Sequence, residues 1–395
     1  MKNVVIFNGG RGASSLIHAL MKDGNYRIVS IVNAYDDGKS TGEIRNFFDM
    51  LGPSDLRKVQ SLLINISNSD YQNIKDLYDF RYPISANRKE ILKELTLFSE
   101  GKSEEICKID FNSQSIKKEL RAVIKTFLDY LSKFEKNKNL LFNFNDCSIM
   151  NCLFAGKQCD TNNLEETANF FRHLFNLQGM VLPNSNDNRI LMALRENGEV
   201  LTTEAEIVEF RSNISINKIF LVPSFLSKNF FEGLTFNEKL DLLESKNKYV
   251  QISASSQSEI ERADIIIYSS GTQHSSLYPT YLTEGLADSI ANNTKAKKFF
   301  ICNVGADYET PSYTAFDFFE KAYYYLNLPK KSNFTYFQLF NSVIVNKPRS
   351  SEESYVLPQI ERFNEIPQID VIFEDFESLS ELGKHNGDLI LSKIK

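Results

Sequence analysis

Val4-Val5-Ile6-Phe7-Asn8-Gly9-Gly10-Arg11-Gly12 decides the architecture: a short β-branched apolar run, a glycine loop, and then Ser14 to Met21 with Leu16, Ile17 and Leu20 on one helical face. That is a strand, a loop and a helix. A second apolar run, Arg27 to Asn33, carries Ile28, Val29, Ile31 and Val32 at the spacing of a βαβ unit, and so reads as a parallel strand covered on both faces. The chain therefore opens as an α/β fold with a Rossmann-like, doubly wound, mostly parallel sheet.

Working outward, apolar residues at helical spacing predict helices over Asp55 to Ile66, Ala86 to Phe98, Ser115 to Lys133 and Asn163 to Leu177, with an asparagine-rich loop from Asn137 to Asn145. Strand signals return at Arg189 to Ala193, Lys218 to Leu221, Ala263 to Tyr268 and Lys297 to Asn303. A helix is predicted over Tyr278 to Ala291. One more strand, Asp370 to Phe373, and a short apolar end, Asp388 to Ile394, close the chain. No internal repeat or linker rich in Pro, Gly or Ser interrupts it. The expected organisation is a single α/β nucleotide-binding domain over 1–395, with a helical insertion at 85–145 and a C-terminal extension at 331–395 packing on the core.

The chain has 395 residues, a net charge of -6, and is 42% hydrophobic and 24% charged. An acidic chain argues against a nucleic-acid partner, because phosphate backbones demand a basic surface. Neither a signal peptide nor an apolar run of ~20 residues is found, so a cytoplasmic protein without a membrane partner is expected. Five cysteines, at positions 107, 147, 152, 159 and 302, form neither a disulfide framework nor a zinc spacing.

Four elements carry candidate chemistry. Gly9, Gly10, Arg11 and Gly12 follow the first strand, where backbone N–H groups and a helix N-terminus can face an anion; a plain strand-to-helix turn is the bland alternative. After the second strand comes Asn33-Ala34-Tyr35-Asp36-Asp37-Gly38-Lys39-Ser40-Thr41-Gly42, followed by Arg45. Adjacent carboxylates at the end of a parallel strand can hold magnesium through oxygen ligands, while Lys39, Ser40, Thr41 and Arg45 suit phosphate oxygens. Asp55 and Arg57 open a helix after Pro53, where Asp55 alone reads as a first-turn acid. Last, Ser269-Ser270-Gly271-Thr272-Gln273-His274-Ser275 follows a strand, and His274 can serve as acid, base or hydrogen-bonding group. The helix from Tyr313 to Tyr325, rich in aromatic residues, could seat a homodimer, although such faces are more often core.

In order along the chain, these elements resemble the 2-phospho-L-lactate transferase family, including its sister branch of gluconeogenesis-factor-like proteins that bind UDP-sugars. Leu77-Tyr78-x-Phe80-Arg81-Tyr82, Val181-Leu182-Pro183, Ala263-Asp264, Cys302-Asn303-Val304, Glu309-Thr310, Tyr313-Thr314-Ala315 and His385-Asn386-Gly387-Asp388 extend the match over nearly the whole chain. The resemblance implies a magnesium-dependent transferase. Such an enzyme moves a phospho-2-hydroxyacid-type group from a nucleoside-diphosphate donor of GDP or UDP type to an acceptor hydroxyl, releasing a nucleoside monophosphate. The sister branch implies a non-catalytic UDP-sugar-binding regulator of carbon or cell-wall metabolism instead. Carried onto this chain, Gly9 to Gly12 and Gly271, Thr272, Gln273 and Ser275 would cradle donor phosphates. Asp36 and Asp37 would hold Mg2+ or orient the acceptor. Asn33, Asp55, Arg57 and Asn303 would complete the pocket, with Asp36, Asp37, Asp55 and His274 as the catalytic candidates. The chain departs from the family at Arg11, where threonine is usual, at Lys39, where glycine is usual, and at Ser269-Ser270, where Gly-Pro is usual.

Overall fold

The first strand runs over Lys2–Phe7, and its four apolar residues from Val4 to Phe7 are almost wholly buried, as a strand with helices on both faces requires. The computed structural model describes residues 1–329, 333–350 and 354–395. Helix Ser14–Asp23 follows and ends on Gly24, whose left-handed φ of 73° caps it; strand Tyr26–Val32 then pairs parallel with the first, Val4 opposite Ile28.

Seven strands form the main sheet, in the order Asp370–Glu374, Ser342–Asn346, Lys297–Ile301, Ile265–Tyr268, Lys2–Phe7, Tyr26–Val32, Met180–Pro183. The expected Rossmann-like α/β sheet is thus present. Numbered by chain order the strands read 3-2-1-4-5-6-7 from one edge, so the winding reverses between Lys2–Phe7 and Ile265–Tyr268, which pair in parallel. In open α/β sheets the crevice outside the strand ends at such a reversal is where ligands bind.

Other expectations are revised. The strands at 189–193 and 218–221 exist as Ile190–Arg195 and Ile216–Val222, but they belong to a separate antiparallel sheet with Val200–Leu201. Met192, Leu194, Phe220 and Val222 bury that sheet against Leu243 of helix Phe236–Lys246. The helix predicted over 278–291 is broken into Tyr278–Tyr281 and Leu286–Asn292, because Gly285 turns at φ 85° and Thr283–Glu284 pairs with Val250–Gln251. The C-terminal stretch does not merely pack on the core: it supplies two strands of the main sheet, Ser342–Asn346 and Asp370–Glu374. Of the expected 331–395 extension, residues 331, 332 and 351–353 lie outside the described residues.

Two compact units make up the chain: Met1–Tyr35 with Leu182–Lys395, and Asp36–Val181. The second is helical, and the segment 85–145 contributes its helices Arg88–Ser99 and Gln114–Lys138. Its apolar centre is phenylalanine: Phe47, Phe48, Phe127, Phe142 and Phe144 meet ring to ring. Helix Ala315–Asn327 of the first unit buries Phe316, Phe318 and Phe319, so most of the face considered for a dimer is core. Among the described residues, no helix is long and apolar enough to cross a membrane.

Candidate functional site

At the reversal of the main sheet, two loops leave neighbouring strand ends. One is Asn8 to Gly12; the other begins at Ser269, whose N–H donates to Phe7 O at 3.2 Å. They touch closely enough that a Cβ on Gly12 would lie 2.3 Å from Ser270 O, so only glycine fits. The second loop is held by amides. Gly271 N donates to Asn303 Oδ1 at 2.9 Å, and Asn303 Nδ2 donates back to Gly271 O at 3.0 Å. Asn33 Nδ2 donates to Ser276 O at 3.0 Å while its Oδ1 accepts from Tyr35 N at 2.8 Å. Gln273 Nε2 donates to Gly271 O at 2.9 Å, and Thr272 Oγ1 to Ser276 Oγ at 3.0 Å. The predicted residues Gly9, Gly10, Gly12, Asn33, Gly271, Thr272, Gln273, Ser275 and Asn303 therefore share one neighbourhood of the sheet unit, and Arg11 is exposed beside them.

One residue of this neighbourhood was not anticipated. Asn8 is completely buried, yet neither its side-chain nitrogen nor its oxygen meets a hydrogen-bond partner among the described residues. A buried amide left unpaired costs on the order of 1–3 kcal/mol, so it marks a place where something else can bond.

Behind the second loop lie the ionisable groups. Glu309, fully buried, accepts from Ser275 N at 3.0 Å and from Ser275 Oγ at 2.6 Å. Burial, assisted by the nearby Asp307 carboxylate, raises its pKa to about 7 against the opposing bonds from Ser275. His274 is 0% exposed, edge-on to Tyr278 at 5.0 Å and to Tyr313 at 6.0 Å. Burial and then Lys321 lower its pKa to about 3, while the Glu309 backbone acts the other way. At neutral pH His274 is an uncharged imidazole inside an aromatic nest, which suits a packing role better than the acid or base role expected of it. His385 similarly accepts or donates at 3.2 Å with Ser270 Oγ, and burial lowers its pKa to about 4.

The helical unit holds the charged cluster. Asp36 Oδ1 accepts from Gly38 N at 3.2 Å, and Arg45 Nη1 donates to Asp36 O at 3.3 Å. Helix Lys39–Phe48 starts tightly here: a Cβ on Gly42 would lie 2.0 Å from Asp37 O. Ser40 and Thr41 are buried, and Asn151 Nδ2 reaches their hydroxyls at 3.0 and 3.2 Å. Arg57 is buried and donates to Tyr78 O at 2.8 Å. Lys39 pairs with Asp146 at 3.2 Å, as does Arg81 at 2.7 Å. Lys39 has φ 47°, a left-handed conformation that glycine adopts without cost, which accounts for the usual glycine at this position.

Lys58, which no motif of the sequence singles out, occupies the centre of the acids. From helix Ser54–Leu62 its Nζ lies 3.1 Å from Asp55 Oδ1 and 3.2 Å from Asp36 Oδ2. Burial opposes the ammonium, yet Asp55 and Asp36 together hold its pKa above the usual lysine range. A magnesium ion takes about six oxygens, often one or two carboxylates plus water and phosphate. In this cluster the oxygens of Asp36 and Asp55 that would face an ion face Lys58 instead, and the other Asp36 oxygen is taken by Gly38 N. Among the described residues no group of three or more His, Cys, Asp or Glu side chains converges as metal ligands. At Asp36, one of the two residues expected to hold magnesium, both carboxylate oxygens are thus already engaged within the protein.

Comparison with known proteins supplies the remaining context. A family model described as 2-phospho-L-lactate transferase CofD matches residues 4–383. The gluconeogenesis factor of Halalkalibacterium halodurans is 26% identical over 317 residues, 80% of this chain and 71% of that protein. The gluconeogenesis factor of Bacillus subtilis is 24% identical over 315 residues, covering 80% of this chain and 72% of that protein. A crystal structure of a Bacillus halodurans protein of the UPF0052 family shares the fold, with a TM-score of 0.68 at 21% identity, covering 100% of this chain and 99% of that one. With the reversal-point loops and the colinear motifs in place, the chain belongs to the 2-phospho-L-lactate transferase CofD family.

Proposed function

We propose that this chain binds a nucleoside-diphosphate-linked small molecule, of GDP or UDP type, at the loops of the sheet's reversal point. We further propose that it transfers the phospho-2-hydroxyacid-type group to an acceptor hydroxyl. In that step the acceptor oxygen bonds to the distal phosphorus, the bridging P–O bond breaks, the nucleoside monophosphate leaves with the electron pair, and the hydroxyl proton passes to solvent. The observation that carries the binding half is the buried, unpaired amide of Asn8 at the reversal point, next to a loop too close to its neighbour for any side chain at Gly12. Backbone amides and side-chain amides suit a diphosphate and a sugar or base edge, and the reaction asks for alignment and charge neutralisation rather than a strong nucleophile. Such a protein works in the cytoplasm with small molecules as partners, not nucleic acid or membrane.

A second reading has its own observation. His274 is neutral and enclosed, and Asp36 is tied to Lys58 and Gly38, so two of the catalytic candidates are committed within the protein. Binding and regulation need no such groups, which favours a UDP-sugar-binding regulator, in keeping with relatives named gluconeogenesis factor. Incubation of purified protein with nucleoside-diphosphate conjugates, with acceptor extracts present, separates the two. Release of nucleoside monophosphate supports transfer; calorimetric binding of a UDP-sugar with no product supports regulation. Absence of both sinks the proposal.

A further inference from the structure

We propose that Glu309 is a positioning residue of the second loop: its carboxylate holds Ser275 while ionised, and it gives up that hold by taking up a proton when a nucleoside-diphosphate-linked ligand arrives at the loop. Three features of the sheet unit lead there. First, one carboxylate takes both donors of one loop residue, Ser275 N at 3.0 Å on one oxygen and Ser275 Oγ at 2.6 Å on the other. These bonds pin the wide turn from Gln273 to Leu277, in which Leu277 N donates five residues back to Thr272 O at 3.2 Å, a geometry rare enough to need support from outside the turn. Second, Glu309 is 4% exposed and forms no ion pair among the described residues, while another acid, Asp307, acts on it from two residues away. A buried charge is costly unless a cation balances it. Third, the start of the loop is held differently: Asn303 exchanges two bonds with Gly271 through a neutral amide, so of these two clamps only Glu309 can titrate.

The consequence follows from charge, and it rests on the reading that a diphosphate binds at these loops. Asp307 raises the proton affinity of Glu309, the bonds from Ser275 and the His274 backbone lower it, and Lys321 and Arg195 act on His274 instead. With burial added, the carboxyl titrates at about 7 and is about half ionised at neutral pH. An arriving diphosphate adds negative charge near an acid that has no cation, and this favours the protonated carboxyl. The coupling is reciprocal: the ligand raises the proton affinity of Glu309, and a protonated Glu309 raises the affinity for the ligand. A protonated carboxyl also offers Ser275 one good acceptor oxygen instead of two, so the turn is freed to adjust as the ligand settles.

The amide resonance of residue 275 is the reporter and UDP-glucose the probe, both on the full chain, with GDP-glucose in its place if that binds better. In the free protein this resonance is expected to titrate with a midpoint at about pH 7, to move its midpoint lower in Asp307→Asn, and to stay flat in Glu309→Gln. If Glu309→Gln does not fold, Ser275→Ala, which removes one of the two bonds, should move the midpoint upward. Calorimetry of the probe in buffers of different ionisation enthalpy should show proton uptake, and affinity should fall roughly three- to tenfold from about pH 6 to about pH 8. In Glu309→Gln both the uptake and the pH dependence should vanish. A resonance that does not titrate between roughly pH 5.5 and 8.5 overturns the proposal, as does probe binding that takes up no proton. Absence of any binding counts against the nucleotide reading, and the titration of residue 275 then decides by itself whether Glu309 positions the loop.

Discussion

Gly12, Gly271 and Asn303 meet through backbone groups and a neutral amide, whereas Lys58 meets Asp36 and Asp55, and Arg81 meets Asp146, through charged side chains. The sheet-unit cluster is shaped by how near one main chain comes to another, and added atoms should damage it most. The helical-unit cluster is shaped by charge neutralisation, and lost charge should damage it most. A polar group can thus be buried without a partner among the described residues, as at Asn8, or an acid pair can be neutralised within the fold, as at Lys58.

The largest effect is expected from Gly12→Ala. Its new methyl would meet Ser270 O at 2.3 Å, so the loops must separate, costing about 3 kcal/mol or more in a denaturant titration. A loss under about 0.5 kcal/mol would break the picture of main-chain contact. Gly42→Ala, facing Asp37 O at 2.0 Å, is the matching test that steric closeness also underlies the charged cluster.

Next comes pH. Glu309 has its folded pKa raised from 4.5 to about 7, so its stabilising contribution is complete below about pH 4.5 and is lost as pH rises to 7. His274 and His385 are lowered from 6.5 to about 3 and about 4, so theirs is complete above pH 6.5 and is lost as pH falls toward those values. Set against Glu309 the two histidines prevail, so these three groups together make stability climb from pH 4.5 to 6.5. Glu309→Gln should steepen that climb by up to roughly 1.4 kcal/mol per pH unit, measured as unfolding free energy across the range. An unchanged slope removes Glu309 from the account.

Lys58→Met should cost about 1–2 kcal/mol, less than a fully buried pair because Lys58 is about a third exposed; Lys58→Arg should cost less than half of that. Equal losses in both variants would point to shape rather than charge. Smallest is Lys39→Ala: Lys39 is largely exposed and its pairing with Asp146 should be worth about 0.2–1 kcal/mol in thermal unfolding.

The strand-loop-helix opening, the second strand and the polar loop after Ile265–Tyr268 were legible because each is a local pattern of period and punctuation. Strand Ser342–Asn346 escaped notice although its five residues are all buried, since a short apolar run does not declare its partners. The broken helix after Tyr278 was misread for a related reason: Gly285 takes its left-handed turn because a neighbouring strand, Val250–Gln251, pairs there. Lys58 was half legible, being one helical turn from Asp55, but its bond to Asp36 spans 22 positions.

By itself, then, the sequence determined the fold class, the family and the main loops of interest, because these rest on local periodicity and on motifs in fixed order. Only the tertiary structure decided which acids own a cation, that His274 is enclosed by tyrosines, that Glu309 lies behind Ser275, and that Asn8 is left unpaired. Those outcomes depend on burial and on approaches between distant segments, and it is burial that converts an ordinary carboxylate, imidazole or amide into one with a shifted pKa or an unmet bond.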